Sequence, residues 1–481
     1  MGNVSKFVRA LCSASLLATL VATAASAQTG QTTSTDQTGQ GAPTGPQTGK
    51  PQSPETAPQQ RPGLGAPVPA FAVLGPSREI KLAENTWFRF GAQVQAWYKA
   101  AQDRLTGTTV SGTYAQDFYC RRCRFFATGS VVKDVYFNIL FEAGNFGKSD
   151  PTTGLKSFVA PVILDAYAQV KFADAFWLSG GSILLPLTRN GTQPTTTYLS
   201  IDAANVDNTP VLQLNTTVLR DLGFQANGFF LANHLEYRVG LFQGSRQAST
   251  TTQTASHNGP RLVTMLNLNF WDTETGYVNG GHYFGAKRVL GVMGNFDYQV
   301  LRTDAPGFPA ALLGSAAVPP AGTSKNAYYG LSGAAFINYP LSGTPNPKGG
   351  DEVVGLLQFG VYDGGLTTTA AGAVTNPGTY PNVLKQFNYL AEAAYYNNAA
   401  RFSVFGKFEG RKISGDYPGA VQAGNNQYWL AFGAKYYLAP FNLLNFALQY
   451  ERNQFTDTDK SPTPQQSGIN SVTFQMQLLL Y

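Results

Sequence analysis

The chain has 481 residues, a formal net charge of +6, 13% charged residues, 13% aromatic residues and three Cys. Its charged fraction is about half the ~25% usual for soluble proteins, so a surface facing water everywhere is not expected, and the mild basic balance is no nucleic-acid signature. Something other than water is expected to face part of the protein.

The N-terminus reads as a secretory signal peptide over residues 1–27. Lys6 and Arg9 form a positive region, Ala10 to Ala22 a short apolar core, and Ala25-Ser26-Ala27 an A-x-A cleavage site. Cleavage there lowers the net charge from +6 to +4. Residues 28–78 are Gln, Thr, Pro and Gly with almost no large apolar side chain, a composition that cannot bury enough surface to offset its chain entropy. A disordered linker on the periplasmic side is expected there. No later run of 18 or more apolar residues suggests a transmembrane helix.

From residue 79 to 481 the dominant period is two. Phe88, Phe90, Ala92, Val94, Ala96 and Tyr98 alternate with Arg89, Gln93, Gln95 and Lys99, the pattern of a strand with one oily and one wet face. Ala166, Ala168 and Val170 oppose Asp165, Gln169 and Lys171. Phe402, Val404 and Phe408 oppose Arg401, Lys407, Glu409 and Arg411. Val472 to Leu480 repeats the pattern. About sixteen such segments follow one another, each near the ~10 residues of a tilted membrane-spanning strand. Short connections, as at Lys133-Asp134, Ala173-Asp174 and Asn397-Asn398, alternate with long polar ones, as at Leu105–Gln116, Thr188–Thr217, Thr303–Lys325 and Leu366–Val383. This rhythm predicts an all-β, transmembrane, up-and-down antiparallel β-barrel with one smooth and one looped rim. Asp272–Phe284 and Leu341–Gly350 break the short-turn rule. Tyr and Trp near strand ends suggest interfacial girdles, and Tyr481 ends the chain on an aromatic.

Four blocks are familiar: "RRCRFFATGSVVKDVYFNILFEAG", "LDAYAQVKFADAFWLSGGSILLPLTRN", "RDLGFQANGFFLANHLEYRVGLFQGS" and "YYLAPFNLLNFALQYERNQF". In this order they resemble the phosphate-selective porin O/P family. The most specific are Arg220-Asp221-x-Gly223 and Leu235-Glu236-Tyr237-x-x-Gly240-x-Phe242-x-Gly244. The resemblance implies a sixteen-stranded bacterial outer-membrane porin, a homotrimer, that passes small anions and is constricted by a long third loop, here Thr188–Thr217. It departs from the family at Leu184 and Leu187, where a Lys and a Phe are usual. The loop is also poor in basic residues, with Arg189 alone against Asp202 and Asp207.

The segment Phe118–Phe126, "FYCRRCRFF", carries the only motif that suggests redox or metal chemistry. A c-type haem would need His where Arg124 stands, and His234, His257 and His282 lie far off in the sequence. In a regular strand, residues three apart point to opposite faces ~10 Å apart, beyond disulfide reach. Cys120 and Cys123 are therefore expected to remain unbonded to each other unless the strand starts after Arg121. On this reading Arg122 and Arg124 face the lumen, while Cys123 and Phe125 face lipid.

Parity yields Arg89, Lys99, Arg122, Arg124, Lys171, Arg238, Arg261, Lys287, Arg401, Lys407, Arg411 and Lys435 as pore-lining basic candidates. They stand against Glu142, Asp165, Asp221, Glu236, Asp297, Glu352, Glu392, Glu409 and Glu451. Each is either a salt-bridged wall residue or part of a basic stripe that selects anions. No G-x-S-x-G, no H-E-x-x-H and no acid–base pair beside a His points to an enzyme. No cofactor or metal is expected. The expected function is a passive porin for small hydrophilic solutes with mild anion preference. A non-selective pore, or a structural barrel housing a partner, is the alternative. Outer-membrane lipid and small anions or other polar solutes are the expected partners.

Overall fold

The computed structural model describes residues 79–102, 114–150, 153–158, 160–207, 219–245, 259–302, 325–364, 383–414, 425–439, 442–457 and 467–480. The expected signal peptide, the 28–78 linker, Tyr481 and most of the long polar connections lie outside them.

Nineteen strands are described. In chain order they are β1 (Ile80–Ala83), β2 (Thr86–Gln102), β3 (Tyr114–Val132), β4 (Val135–Phe146), β5 (Lys148–Ser149), β6 (Lys156–Ser157), β7 (Val162–Ala173), β8 (Phe176–Leu184), β9 (Arg220–Phe230) and β10 (Leu235–Phe242). There follow β11 (Arg261–Asn269), β12 (Val289–Arg302), β13 (Lys325–Pro340), β14 (Glu352–Asp363), β15 (Gln386–Asn397), β16 (Phe402–Ile413), β17 (Gln427–Ala439), β18 (Leu444–Phe455) and β19 (Gly468–Leu480).

Sixteen of these close into one antiparallel barrel, as the alternation predicts. Each pairs with its neighbour along the chain, and β19 returns to β2 from Ser471↔Ala101 to Leu480↔Ala92. Closure leaves no sheet edge in the hydrocarbon, where an unpaired backbone group has no water to bond. The other three strands are local additions. β1 extends the β19 edge of β2, with Ile80 opposite Phe88, and β5 pairs with β6 between β4 and β7.

The barrel is inside-out relative to a soluble protein. Phe90, Phe125, Phe224, Leu357, Phe432 and Leu448 are exposed outside, while Gln93, Gln95, Gln225, Gln299, Asn338 and Gln475 are buried within. Large apolar side chains on every outward face are tolerable only against lipid.

One expectation is overturned. Cys120 and Cys123 form a disulfide within β3, with Cα atoms 6.1 Å apart. The reason is a β-bulge. Opposite β2, Arg122 pairs with Gln95 and Cys120 with Ala96, so Arg121 is an extra residue without a place in the ladder. The insertion brings both cysteines to the outward face, beside Ala96 and Val94, as next neighbours on one side. The distance argument fails because it assumed a regular pleat.

The two breaks in the short-turn rule resolve differently. Residues 341–351 form a largely exposed connection on the short-turn rim, whereas the interior of 270–288 is buried inside the barrel. Gly285 permits the fold-back: its φ is +75°, and a Cβ there would stand 2.7 Å from the Gly350 backbone.

Candidate functional site

The bore is occupied by two segments that enter from opposite rims. The first is residues 185–207, which follow β8. Counting from β2, β8 is fifth in the ring, and β16 and β17 are thirteenth and fourteenth, so the segment reaches the wall facing its origin. Its apolar residues explain the entry. Leu199, Ile201, Ala204 and Val206 pack on inward-facing Met293, Phe336, Leu356, Leu390, Phe405 and Trp429.

A buried segment without regular structure must still satisfy its backbone, and wall side chains do much of this. Pro186 O accepts from Asn295 Nδ2 at 2.5 Å and Leu187 O from Ser332 Oγ at 2.6 Å. Ser200 N donates to Glu392 at 2.8 Å and Val206 N to Glu409 at 3.1 Å. Lys435 Nζ donates to Tyr198 O at 2.5 Å. The polar face that would wet an empty bore here holds a loop.

The second segment, 270–288, is bolted to the first. Arg189 meets Glu274 in a two-pronged pair at 2.6 and 2.7 Å, donates to Gly280 O at 2.9 Å, and lies 4.1 Å over the Phe336 ring. Tyr283 also donates to Glu274. Gly281 N donates to Thr197 Oγ1 at 3.1 Å, and Asn279 N to Thr192 O at 3.2 Å. Nearer the rim, His282 contacts Glu352 and stacks on Phe284, and Tyr396 and Tyr437 meet Phe284 edge-on. Leu184 and Leu187 are accounted for by this packing. They join Leu185, Leu219, Tyr277 and Val278 in an apolar cluster that seals the inserted turn.

Between the first segment and the wall lies a cavity rich in guanidinium. Arg121, Arg122, Arg124 and Arg220 line it, with Asp165, Gln193, Tyr198 and Tyr277. The bulge creates this density, because it aims Arg121 at the lumen beside Arg122. Both bind Asp202 of the loop, Arg121 Nε at 3.0 Å. Burial alone would raise the Asp202 carboxyl, but Arg121 and Arg122 outweigh it and hold it well below the usual carboxylate range. Arg124 pairs with Glu142 and donates to Thr195 Oγ1 at 2.7 Å. Arg220 reaches Asp165 at 3.0 Å. At the far end of the segment Asp207 accepts from Gln358 Nε2 at 2.7 Å. Burial pushes its carboxyl up to about 7, and nearby Glu409 adds to the rise.

The twelve basic residues singled out by parity fall into four groups. Arg122 and Arg124 belong to the cavity. Arg238, Arg261 and Lys407 are buried wall residues beside carboxylates: Glu236 at 2.6 Å, Asp297 at 2.6 Å and Glu409 at 3.1 Å. Lys435 and Arg411, also inward, bond to loop carbonyls, Tyr198 O and Asn425 O. The others lie nearer the strand ends. Arg89 pairs with Glu79 at 2.9 Å, Lys171 with Asp174 at 2.6 Å, and Lys99 stands opposite Asp117. Lys287 donates to Thr273 O within the inserted turn, and Arg401 is exposed in a turn with φ 52°. Parity carried β16 one residue too far at Arg401. It passed over Arg121, Arg189 and Arg220, which the bulge, the loop and a strand end place at the site.

No protein-family model matches the sequence, and no curated protein matches it. Among solved structures, the chain is similar to the loop-L8 deletion mutant of OmpT, an outer membrane protein of Vibrio cholerae. The two share 9% identity over 82% of this chain and all of the other, with a TM-score of 0.45. It is also similar to in-vitro folded OmpT of Vibrio cholerae in its trimer form, at 9% identity over 82% of this chain and 98% of the other, TM-score 0.43. At this distance the barrel assignment rests on the strand ladder itself.

Proposed function

We propose that the chain is a bacterial outer-membrane porin for small hydrophilic solutes, constricted by residues 185–207 and mildly selective for anions. The observation that carries this reading is the guanidinium-lined cavity between the inserted loop and the β3 wall. Four arginines there, Arg121, Arg122, Arg124 and Arg220, stand against three carboxylates, Asp202, Glu142 and Asp165. One positive charge is left over in a partly dehydrated cavity, where a charge acts more strongly than in bulk water. The sequence blocks that resemble the phosphate-selective porin O/P family support the same class. A barrel built to house a partner would leave its bore free, and this bore holds its own loop.

The test is single-channel recording in planar bilayers, with reversal potentials in KCl and in potassium phosphate gradients. Stable conductance steps with anion-weighted reversal are expected, and a protein that inserts without conducting refutes the reading. Assembly as a homotrimer belongs to the same proposal and is checked by cross-linking in native membranes.

A further inference from the structure

The arginine cavity has a second chemistry in its lining. Beside the guanidiniums stand Leu140, Leu184, Leu219 and Val278. Three of these belong to the apolar cluster that seals the inserted turn. Gln193 also lines the cavity, is 3% exposed, and has no partner for its side-chain oxygen or nitrogen among the described residues. A buried amide in that state is costly, and a ligand that bonds it recovers the loss.

An inorganic oxyanion would use the guanidiniums and gain nothing from four aliphatic walls. Inorganic phosphate would also bring more than one negative charge, on average, to a cluster with a single surplus positive one. We propose that the cavity is a recognition subsite for a monovalent organic carboxylate with an apolar body. The carboxylate takes the guanidinium fork, which suits a planar two-oxygen anion. The body lies against Leu184, Leu219 and Val278, and Gln193 bonds whatever polar substituent the body carries or the carboxylate edge itself. This rests on the porin reading and names the solute class of its constriction.

The experiment uses the full chain in planar bilayers at 0.1 M KCl, with benzoate, acetate, inorganic phosphate and neutral benzyl alcohol as probes. Benzoate is expected to reduce the chloride current at a concentration about tenfold below acetate or phosphate, the margin a buried apolar body supplies. Benzyl alcohol should have no effect in that range. Leu184→Ser and, separately, Val278→Ser should bring benzoate to the acetate level, so that loss of folding in one variant leaves the other to decide. Equal potency of benzoate and acetate on conducting wild-type channels overturns the subsite and leaves the porin reading standing. A protein that conducts nothing overturns the porin reading. The subsite is then decided by titration calorimetry of benzoate against detergent-solubilised protein, where absent binding overturns it.

Discussion

Replacing Arg122 and Arg124 together by Ala changes the cavity cluster from one surplus positive charge to one surplus negative charge. An ion passing ~7 Å from a unit charge, at an effective dielectric constant of ~20, feels about 2 kcal/mol. Screening at 0.1 M salt, where the Debye length is ~10 Å, cuts this to about 1 kcal/mol per charge. Two charges removed, acting oppositely on anion and cation, should lower the anion-to-cation permeability ratio by at least about tenfold. The single variants should differ. Arg122→Ala leaves Asp202 paired with Arg121 at 3.0 Å, so it shifts charge and removes one buried hydrogen bond, to Gln95 at 2.8 Å. Arg124→Ala strips buried Glu142 of its ion-pair partner, a loss of about 3–5 kcal/mol for buried pairs, and should add open-channel noise as the loop loosens. The assay is the reversal potential across a tenfold KCl gradient. At 1 M salt the Debye length is ~3 Å and the double variant should approach wild type. A double variant that matches wild type at 0.1 M refutes the reasoning.

Three further expectations can be checked independently. Non-reducing digestion with alkylation should give one peptide linked through Cys120 and Cys123, and two alkylated thiols would contradict the bulged β3. Leu357→Arg places a charge on the lipid face near the middle of β14. It should cost roughly 2–4 kcal/mol in folding titrations into vesicles, and unchanged stability would remove Leu357 from the membrane. Asp207 has an ordinary pKa of 3.8, raised to about 7 when docked. Its docked form therefore holds the proton more tightly, so docking is favoured most below pH ~4, weakens as pH rises to about 7, and is flat above. Hydrogen exchange of residues 188–207 should show that slope in wild type and lose it in Asp207→Asn; a slope that survives in the variant belongs to another group.

The barrel was legible because strand alternation repeats: one misread residue barely disturbs a pattern written sixteen times. Gln93 and Gln95 against Val94 and Ala96 already state which side is wet. The site was less legible, since it depends on departures from that pattern. Nothing in Cys120-Arg121-Arg122-Cys123 announces an extra residue; no Gly or Pro marks the bulge, and its signal is the cysteine spacing itself. Asp272–Phe284 did show as too long for its rim, but its inward course rests on contacts that length alone does not report. Arg189 stood out as the basic residue of its loop, but its partner Glu274 lies on a different connection, and sequence spacing does not report a meeting inside a bore.

A closed sheet of sixteen strands is a thin-walled tube, and a thin-walled tube resists stretching around its hoop far better than flattening. Residues 185–207 tie β8 to Glu409 on β16 and Lys435 on β17, across the diameter. The segment thus works as a strut that fixes the roundness of the cross-section. Squeezing the barrel from the side must compress or unseat the strut before the wall can become oval. Lateral pressure in the surrounding bilayer therefore reaches the arginine cluster directly, as a load on the contact between Asp202 and β3.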